Sequence, residues 1–466
     1  MTRSLPLSTD VLAVGAGPAG LALGCALRAS GVDHVLVDRA AAPARHSRAA
    51  IVHARTLELL ALVGAADDLV ACGRPGATVA VHSRDSVLLS VDFGGLDTPY
   101  PFVLGVPQEA TERVLDARLR QLGGVVHRSH ALVDVRRQES GVTAMVSDAE
   151  GVVHSVRARY LVGCDGLHSG VRDWSGIPFR GHTGPQTFAL AEVEMDWPGA
   201  LDAFTYFLSE QGTLLLSPMP NGRFRVAARV PCGSPAPDLA QVRRLLDAGG
   251  PRGAAERVRG LDVSSTWQVQ YRLAEAFRAG PVFLVGDAAH VHSPVGGLGM
   301  NVGIQDALNL AWKLASVLDG TAAEALLDTY DAERRPVAEG TLAFTERVTE
   351  VTTTGSTAMR DDVLSALGST PRFTSWLANR LAQLDIRYDG SAERVRPWPT
   401  TQARYGWSLL VAAEGVAAAR AAAEHTPVLV GRADHLPQAV LVRPDGYTAA
   451  TAPHAEAHRL LGRWSR

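Results

Sequence analysis

The chain of 466 residues carries a formal net charge of −3, with a sequence pI near 6.6; it is too long for one ordinary hydrophobic core, so two or three domains are expected. Hydrophobic residues at 46% with 20% charged place it in the globular class, and the lack of a basic stripe argues against a nucleic-acid partner. Met1–Asp10 hold no long apolar run and the next apolar stretch is broken by glycines, which argues against a secretory or membrane-spanning segment and for the cytoplasm.

From the N-terminus, Asp10–Val14 reads as a short apolar strand, Pro18–Ser30 as a helix stopped by Gly31, and His34–Asp38 as a second strand. The strand and helix are joined by Gly15-Ala16-Gly17-Pro18-Ala19-Gly20. Gly15 allows the tight turn, Gly17 lets the backbone approach a pyrophosphate, and Gly20 lets helix and strand pack closely. The phosphates then sit over the helix N-terminus, where unpaired N–H groups and the dipole favour negative charge. Asp38 ends the second strand where a ribose-binding acid belongs.

Downstream, Ala54–Leu60 reads as helix, and Val106-Pro107-Gln108 leads into a helix running to Leu122. Ala158–Gly166 reads as a buried strand with a turn, followed by Ser169-Gly170-Val171-Arg172. From Phe179 to Tyr271 the texture changes: Phe188–Trp197, Phe204–Ser209, Thr213–Pro218 and Phe224–Val230 are predicted strands, joined by turns such as Pro220-Asn221-Gly222. Val282–Val285 is a further strand, ending in Gly286-Asp287. A second glycine-bearing strand end so far from the first suggests a long cofactor held at two places, and the pair points to FAD.

Beyond it, Pro294-Val295-Gly296-Gly297-Leu298-Gly299-Met300-Asn301 precedes a long helix, Val302–Leu318. Its glycines expose backbone N–H groups where the helix starts, so the positive helix end can face the pyrimidine edge of a flavin, which is anionic when reduced. Pro294, Gly297, Gly299, Met300 and Asn301 are therefore candidate flavin contacts, and Asp287 is placed to accept a hydrogen bond from the ribityl chain. Helices continue through Tyr330–Pro336 to about Asp389. From about Arg396 come an alanine-rich helix at Ala412–Ala423, a strand at Ala439–Val442 and the turn Arg443-Pro444-Asp445-Gly446.

Other constellations carry less. Cys25, Cys72, Cys164 and Cys232 have no metal-ligand or redox spacing, and Lys313 is the only lysine among 45 basic residues. His290 and His292 lie near Asp287 but lack a third ligand at motif spacing, so no metal is expected. No Gly-x-Ser-x-Gly elbow suggests a hydrolase.

Three signals in order, the dinucleotide turn at Gly15–Gly20, Cys164-Asp165-Gly166 with the trailing Ser169-Gly170-Val171-Arg172, and Gly286-Asp287 followed by Pro294–Asn301, resemble the class A flavoprotein monooxygenases, the single-component aromatic hydroxylases. The resemblance covers nearly the whole chain. It implies an α/β fold: a Rossmann-like FAD-binding domain of the para-hydroxybenzoate hydroxylase type, a β-sheet substrate domain and a small thioredoxin-like C-terminal domain. The implied boundaries are 1–178 and 276–395 for the FAD-binding domain, 179–275 for the substrate domain joined by an insertion around 73–105, and 396–466 for the tail. That tail resembles the one in aromatic polyketide hydroxylases and has no cysteine, which leaves packing or oligomer contact as its role.

The same resemblance puts Arg48 near the pyrophosphate or the flavin edge, Gln108 near the ribityl or phosphate region, Arg39 beside Asp38 among the cofactor contacts, and Leu132 behind the adenine. It assigns Asp165 and Arg172 to a signal serving both FAD and a nicotinamide, or to a structural pair. It implies non-covalent FAD, transient NADPH or NADH, and capture of O2 as a flavin hydroperoxide whose distal oxygen is attacked by a phenol. The substrate class it suggests is a polycyclic aromatic polyketide, on a monomer or homodimer. Baeyer–Villiger oxygenation, hydroxylation that inactivates an antibiotic, and a non-catalytic flavin-binding role remain alternatives, while halogenation lacks its Trp-x-Trp-x-Ile-Pro segment. No substrate acid or base is assigned; His46, His53, Tyr206, Arg223, Arg225 and Gln268 lie in segments able to face the pocket.

Overall fold

The computed structural model describes residues 5–43, 49–197, 204–210, 212–353, 357–388, 394–395, 405–424, 426 and 428–464. Strand Ser8–Val14 runs parallel to His34–Asp38 on one side and to Val153–Gly163 on the other, and Val282–Leu284 adds in parallel beside Val153–Gly163. Val14 is in register with Gly163, and Gly163 with Leu284. The two glycine-bearing strand ends, so distant in sequence, therefore emerge level with each other at one edge of an eight-stranded sheet. Such an edge, at the carboxyl ends of parallel strands, is where open α/β sheets bind nucleotides.

Helix Pro18–Ala29 starts on the proline and ends at Ser30, with Gly31 at φ 76° beyond it. The second long helix, Gly299–Leu318, starts sooner than its apolar pattern indicates, because Gly299, Met300 and Asn301 form its first turn. It is buried on nearly every face, yet Asn301, Gln305, Asp306, Asn309 and Lys313 recur along it. Burial of polar groups requires partners, and each has one. Gln305 donates to Gln383 Oε1 at 2.7 Å, Asp306 accepts from His290 Nε2 and Arg334 Nε at 2.7 Å each, and Lys313 Nζ donates to Glu333 Oε2 at 2.9 Å. The stripe ties this helix to distant stretches of chain.

A second eight-stranded sheet holds the strands expected from the middle of the chain. Phe179–Met195 is longer than its predicted segment, and its pairing with Val258–Ala274 slips between Thr183 and Thr187, across Gly184-Pro185, where proline offers no N–H to the ladder. Val258–Ala274 shows mostly half-buried residues with no clean alternation, so its pattern does not announce a strand. Thr78–Ser83 pairs in parallel with Phe204–Ser209, and Ser86–Asp92 forms the edge. Helices Asp328–Thr353, Thr357–Gly368 and Pro371–Leu381 follow, and the latter two pack against Ser86–Asp92.

The tail forms a separate four-stranded sheet in the order Leu429–Arg432, Ser408–Val411, Ala439–Val442, Thr448–Ala452. The alanine-rich segment begins as a 3-10 turn at Ala413–Gly415 and becomes α-helix only at Val416–Ala423. Arg443 docks this unit: its two terminal nitrogens donate to the two oxygens of Glu333 at 2.8 Å each. Asn309 and Arg55 reach Asp445 from the nucleotide-binding layer. The single lysine is thus spent in this docking network rather than in lysine chemistry. No helix among the described residues is long and apolar enough to cross a membrane.

Candidate active site

A cavity of ≈ 480 Å³ opens at the shared strand edge, with Gly17, Pro18 and Ala19 on one wall, Gln108 and Asp287 beside them, and Pro294, Gly297, Gly299 and Met300 beyond. The glycines of the first turn differ in why they are glycine. A Cβ on Gly15 would lie 2.4 Å from Cys164 O and one on Gly20 1.9 Å from Gly15 O, so backbone packing forbids both. Gly17 has an ordinary φ of −77° and a Cβ there would meet nothing within 4 Å. Nothing in the protein needs Gly17 to be glycine, which fits a wall left bare for the close approach of a ligand. N–H groups of two helix starts, Pro18–Ala29 and Gly299–Leu318, lie along the same cavity. A long dinucleotide with an anion at its middle and an electron-rich ring at one end fits this donor set.

Toward the other end, Asp38 Oδ2 accepts from Ala16 N at 2.6 Å, and its Oδ1 accepts from Ala40 N at 2.7 Å. Arg39 is exposed next to it, and Leu132 is half-buried on strand Ala131–Gln138. These three do not line the cavity, and neither do Gly15, Gly20, Asp165 and Asn301, which lie behind its wall. Gln108 donates from Nε2 to Glu112 Oε1 at 2.8 Å. Asp287 is exposed on the cavity wall. Asp165 accepts from Ser169 Oγ at 2.6 Å and from Val171 N at 3.2 Å, and burial raises its pKa. Arg172 donates to Ala288 O and Leu167 O at 3.0 Å each and lies over the Phe179 ring. Both side chains brace the backbone around the cavity. Arg48 and His46 lie outside the described residues.

Asn301 does not offer its side chain to the cavity. It accepts from His53 N at 2.8 Å and donates to Ile51 O at 2.9 Å and to Gly297 O at 2.8 Å, which fixes the curve of the turn. His53 lies beneath that turn, and burial pushes its pKa down to about 4. Its Nε2 meets Gly296 O at 2.7 Å, so in the neutral ring Nε2 must carry the proton.

The sequence gives His292 no role beyond a metal reading that it sets aside, and no group of metal-ligating residues occurs among the described residues. Burial holds its pKa near 4 as well, and its Nδ1 meets the acceptor Ser293 O at 2.8 Å. The proton therefore sits on Nδ1, leaving Nε2 a buried lone pair with no partner. A Cβ on Gly299 would lie 3.7 Å from that nitrogen. An acceptor at the edge of the cavity is legible only once the loop is folded.

The second sheet roofs the cavity with alternate residues of its strands: Phe188 and Leu190, Leu215 and Ser217, Arg225 and Ala227. Arg225 is ion-paired with Glu192 and faces this space, as does Gln268, whereas Arg223 is exposed and pairs with Asp262 at 3.2 Å. Tyr206 accepts from Gly296 N at 2.9 Å. It lines both this cavity and a second one of ≈ 600 Å³, which is walled by the helices Asp328–Thr353, Thr357–Gly368 and Pro371–Leu381.

The FAD binding domain family matches residues 8–345 of the chain. A rifampicin monooxygenase from Streptomyces venezuelae is 37% identical over 394 residues, covering 82% of this chain and 79% of that protein. A 12-dehydrotetracycline 5-monooxygenase/anhydrotetracycline 6-monooxygenase from Streptomyces rimosus subsp. rimosus is 35% identical over 408 residues, covering 82% of this chain and 78% of the other. Among solved structures, an anhydrotetracycline hydroxylase from Streptomyces rimosus superposes with a TM-score of 0.81 at 32% identity, with 96% of each chain covered.

Proposed function

Since the chain belongs to the FAD binding domain family and is an FAD-dependent aromatic monooxygenase, we propose that it hydroxylates a polycyclic phenol of the polyketide type, with NADPH or NADH and O2 as co-substrates, in the cytoplasm as a monomer or homodimer. The observation that carries this reading is the shared wall at Tyr206, which sets the cofactor cleft directly beside a mostly apolar cavity of ≈ 600 Å³, roomy enough for fused rings. In this reading residues 1–178 and 276–395 bind FAD, 179–275 with 73–105 bind substrate, and 396–466 form a thioredoxin-like tail.

FAD is held without a covalent bond. Gly17, Pro18 and Ala19 take the pyrophosphate, with Gly15 and Gly20 shaping the turn and Arg48 and Gln108 nearby. Asp38, Arg39 and Leu132 serve the adenosine end, Asp165 positions the neighbouring turn, and Asp287 takes the ribityl chain. Gly299, Met300 and Asn301 present backbone N–H groups and the helix end to the ring, while Pro294 and Gly297, joined by the Gly297 N to Pro294 O hydrogen bond of 3.0 Å, shape the loop against it. When bound, FAD supplies a ring that is reduced by the nicotinamide and passes one oxygen atom of O2 to the phenol. The chain's own part is to exclude water with Phe188, Leu190 and Leu215, and to offer His292 Nε2 as a hydrogen-bond acceptor at the cavity edge.

The test is nicotinamide oxidation by the FAD-loaded enzyme against polycyclic phenols, monocyclic phenols and ketones, with product masses recorded. Stimulated oxidation with one oxygen added to a polycyclic phenol is the expected result. Turnover confined to monocyclic phenols overturns the polyketide part, and conversion of ketones to esters replaces hydroxylation by Baeyer–Villiger chemistry.

A further inference from the structure

The walls of the second cavity are not uniformly apolar. Three charged side chains line it: Arg347, Arg380 and Asp385. Arg380 is occupied, with Nη2 donating to Gly340 O at 3.0 Å, Nη1 3.4 Å from Asp385 Oδ2, and its guanidinium over the Phe344 ring. Arg347 is different. No hydrogen bond or ion pair engages it among the described residues, although Glu350 stands one turn further along the same helix. A surface arginine with an acid at that spacing commonly pairs with it. Here Arg347 instead presents its charge beside Phe344, Val348 and Val351, all of which line the cavity.

We propose that Arg347 sets substrate specificity by binding an anionic oxygen pair carried on the substrate, either a carboxylate or the ionised enol of a β-diketone. This inference rests on the hydroxylase reading above. Arg347 is exposed at the cavity's edge, and its guanidinium fork matches two oxygens sharing one negative charge. The aromatic side chains Phe344, Phe373 and Trp376, whose rings meet edge-on or tilted at centroid distances of 5.6 to 6.4 Å, supply a surface for the flat ring system. Arg347 lines this cavity and not the cofactor cleft, so holding the anionic end there orients the ring system and selects which edge reaches the cofactor.

The experiment is calorimetric titration of the FAD-loaded enzyme with a dihydroxyanthraquinone carboxylic acid, its methyl ester, and a tetracyclic β-diketone ionised at neutral pH. The acid and the ionised β-diketone are the two arms for the source of the anion. The wild type should bind at least one of them tenfold or more tighter than the ester. Arg347→Gln should abolish that preference and Arg347→Lys should keep part of it, with FAD content and melting temperature verifying that each variant is folded. Equal binding of all three ligands by the wild type, or a preference that survives Arg347→Gln, overturns the proposal while leaving hydroxylation of a neutral phenol standing. If no ring compound binds and none stimulates nicotinamide oxidation, both readings fall together.

Discussion

His53 donates its backbone N–H to the side-chain oxygen of Asn301 at 2.8 Å, joining residues 248 positions apart. The contact locks the start of helix Ala54–Leu62 to the first turn of helix Gly299–Leu318. Because Asn301 Nδ2 also holds Ile51 O and Gly297 O, a single side chain sets the path of the loop that faces the cofactor. Asn301→Ala leaves these groups without their partner, at about 1–3 kcal/mol for each that stays dry. The expected outcome is a lower melting temperature for the apo form together with weaker FAD binding. An unchanged apo stability would mean that water replaces the side chain at no cost.

Gly17 and Gly20 separate ligand fit from protein fit. A methyl on Gly20 collides with Gly15 O, so Gly20→Ala should destabilise the apo protein by about 1–3 kcal/mol, as overpacking does. Gly17→Ala meets no protein atom within 4 Å and needs no unusual backbone angle. Because Gly17 is the N-cap of helix Pro18–Ala29, its replacement should cost the apo protein no more than about 1 kcal/mol, while FAD affinity falls tenfold or more. Equal FAD affinity in Gly17→Ala would remove the pyrophosphate from this wall.

Asp287 tests the other end of the cofactor. Its carboxylate is exposed on the cavity wall and is expected to accept a charge-assisted hydrogen bond from the ribityl chain, worth about 1.5–3 kcal/mol. Asp287→Ala should therefore bind FAD roughly ten- to a hundred-fold more weakly while remaining folded. Equilibrium titration of apoprotein with FAD reads this directly, and wild-type affinity would take Asp287 out of the site.

Stability should fall with acid in two steps. Burial pushes the pKa of His34, His53 and His292 down to about 4 from 6.5. Between those values the unfolded chain takes up protons that the folded chain refuses, so stability declines as the pH drops from about 6.5 to 4. Each histidine contributes about 1.4 kcal/mol to that loss for every pH unit crossed in the interval. Glu333 adds a second step. Burial opposes its ionisation, but hydrogen bonds from Arg443 and the charge of Lys313 prevail and hold its pKa near 2, below the ordinary 4.5. The stability it contributes is present above about 4.5 and lost as the pH falls toward 2. Denaturant midpoints that stay flat from pH 7 to 4.5 would contradict the first step.

Much of the cofactor layer is readable because its signals are local. Gly15–Gly20, the helix after it and strand His34–Asp38 follow from short-range turn and cap chemistry, and the structure brings the strand ends level with each other. The substrate side is less legible for a physical reason. Strand Val258–Ala274 is half-buried on both faces and shows no period, and the second cavity arises from helices whose packing partners lie hundreds of residues away. His290 and His292 illustrate the same limit. The sequence places them two apart, but only tertiary structure gives His290 to Asp306 and leaves Nε2 of His292 without a partner.

That nitrogen carries the last prediction. His292 Nδ1 is committed to Ser293 O, so the ring has one tautomer, and its Nε2 can only accept. With a pKa of about 4 the ring does not remove the phenolic proton. Accepting a hydrogen bond from the phenol still raises electron density on the substrate ring during oxygen transfer, a contribution worth about tenfold in rate. His292→Ala should thus lower product formation by that order while the nicotinamide still reduces the enzyme, so reducing equivalents are lost as hydrogen peroxide. His292→Asn offers an amide oxygen that can accept the same hydrogen bond and should recover part of the loss. Raising the pH toward the substrate's own phenol pKa should restore the variants selectively, because the phenolate then forms without help. If the His292→Ala variant instead shows wild-type coupling of nicotinamide oxidation to product at neutral pH, His292 serves only to shape the loop and takes no part in activating the phenol.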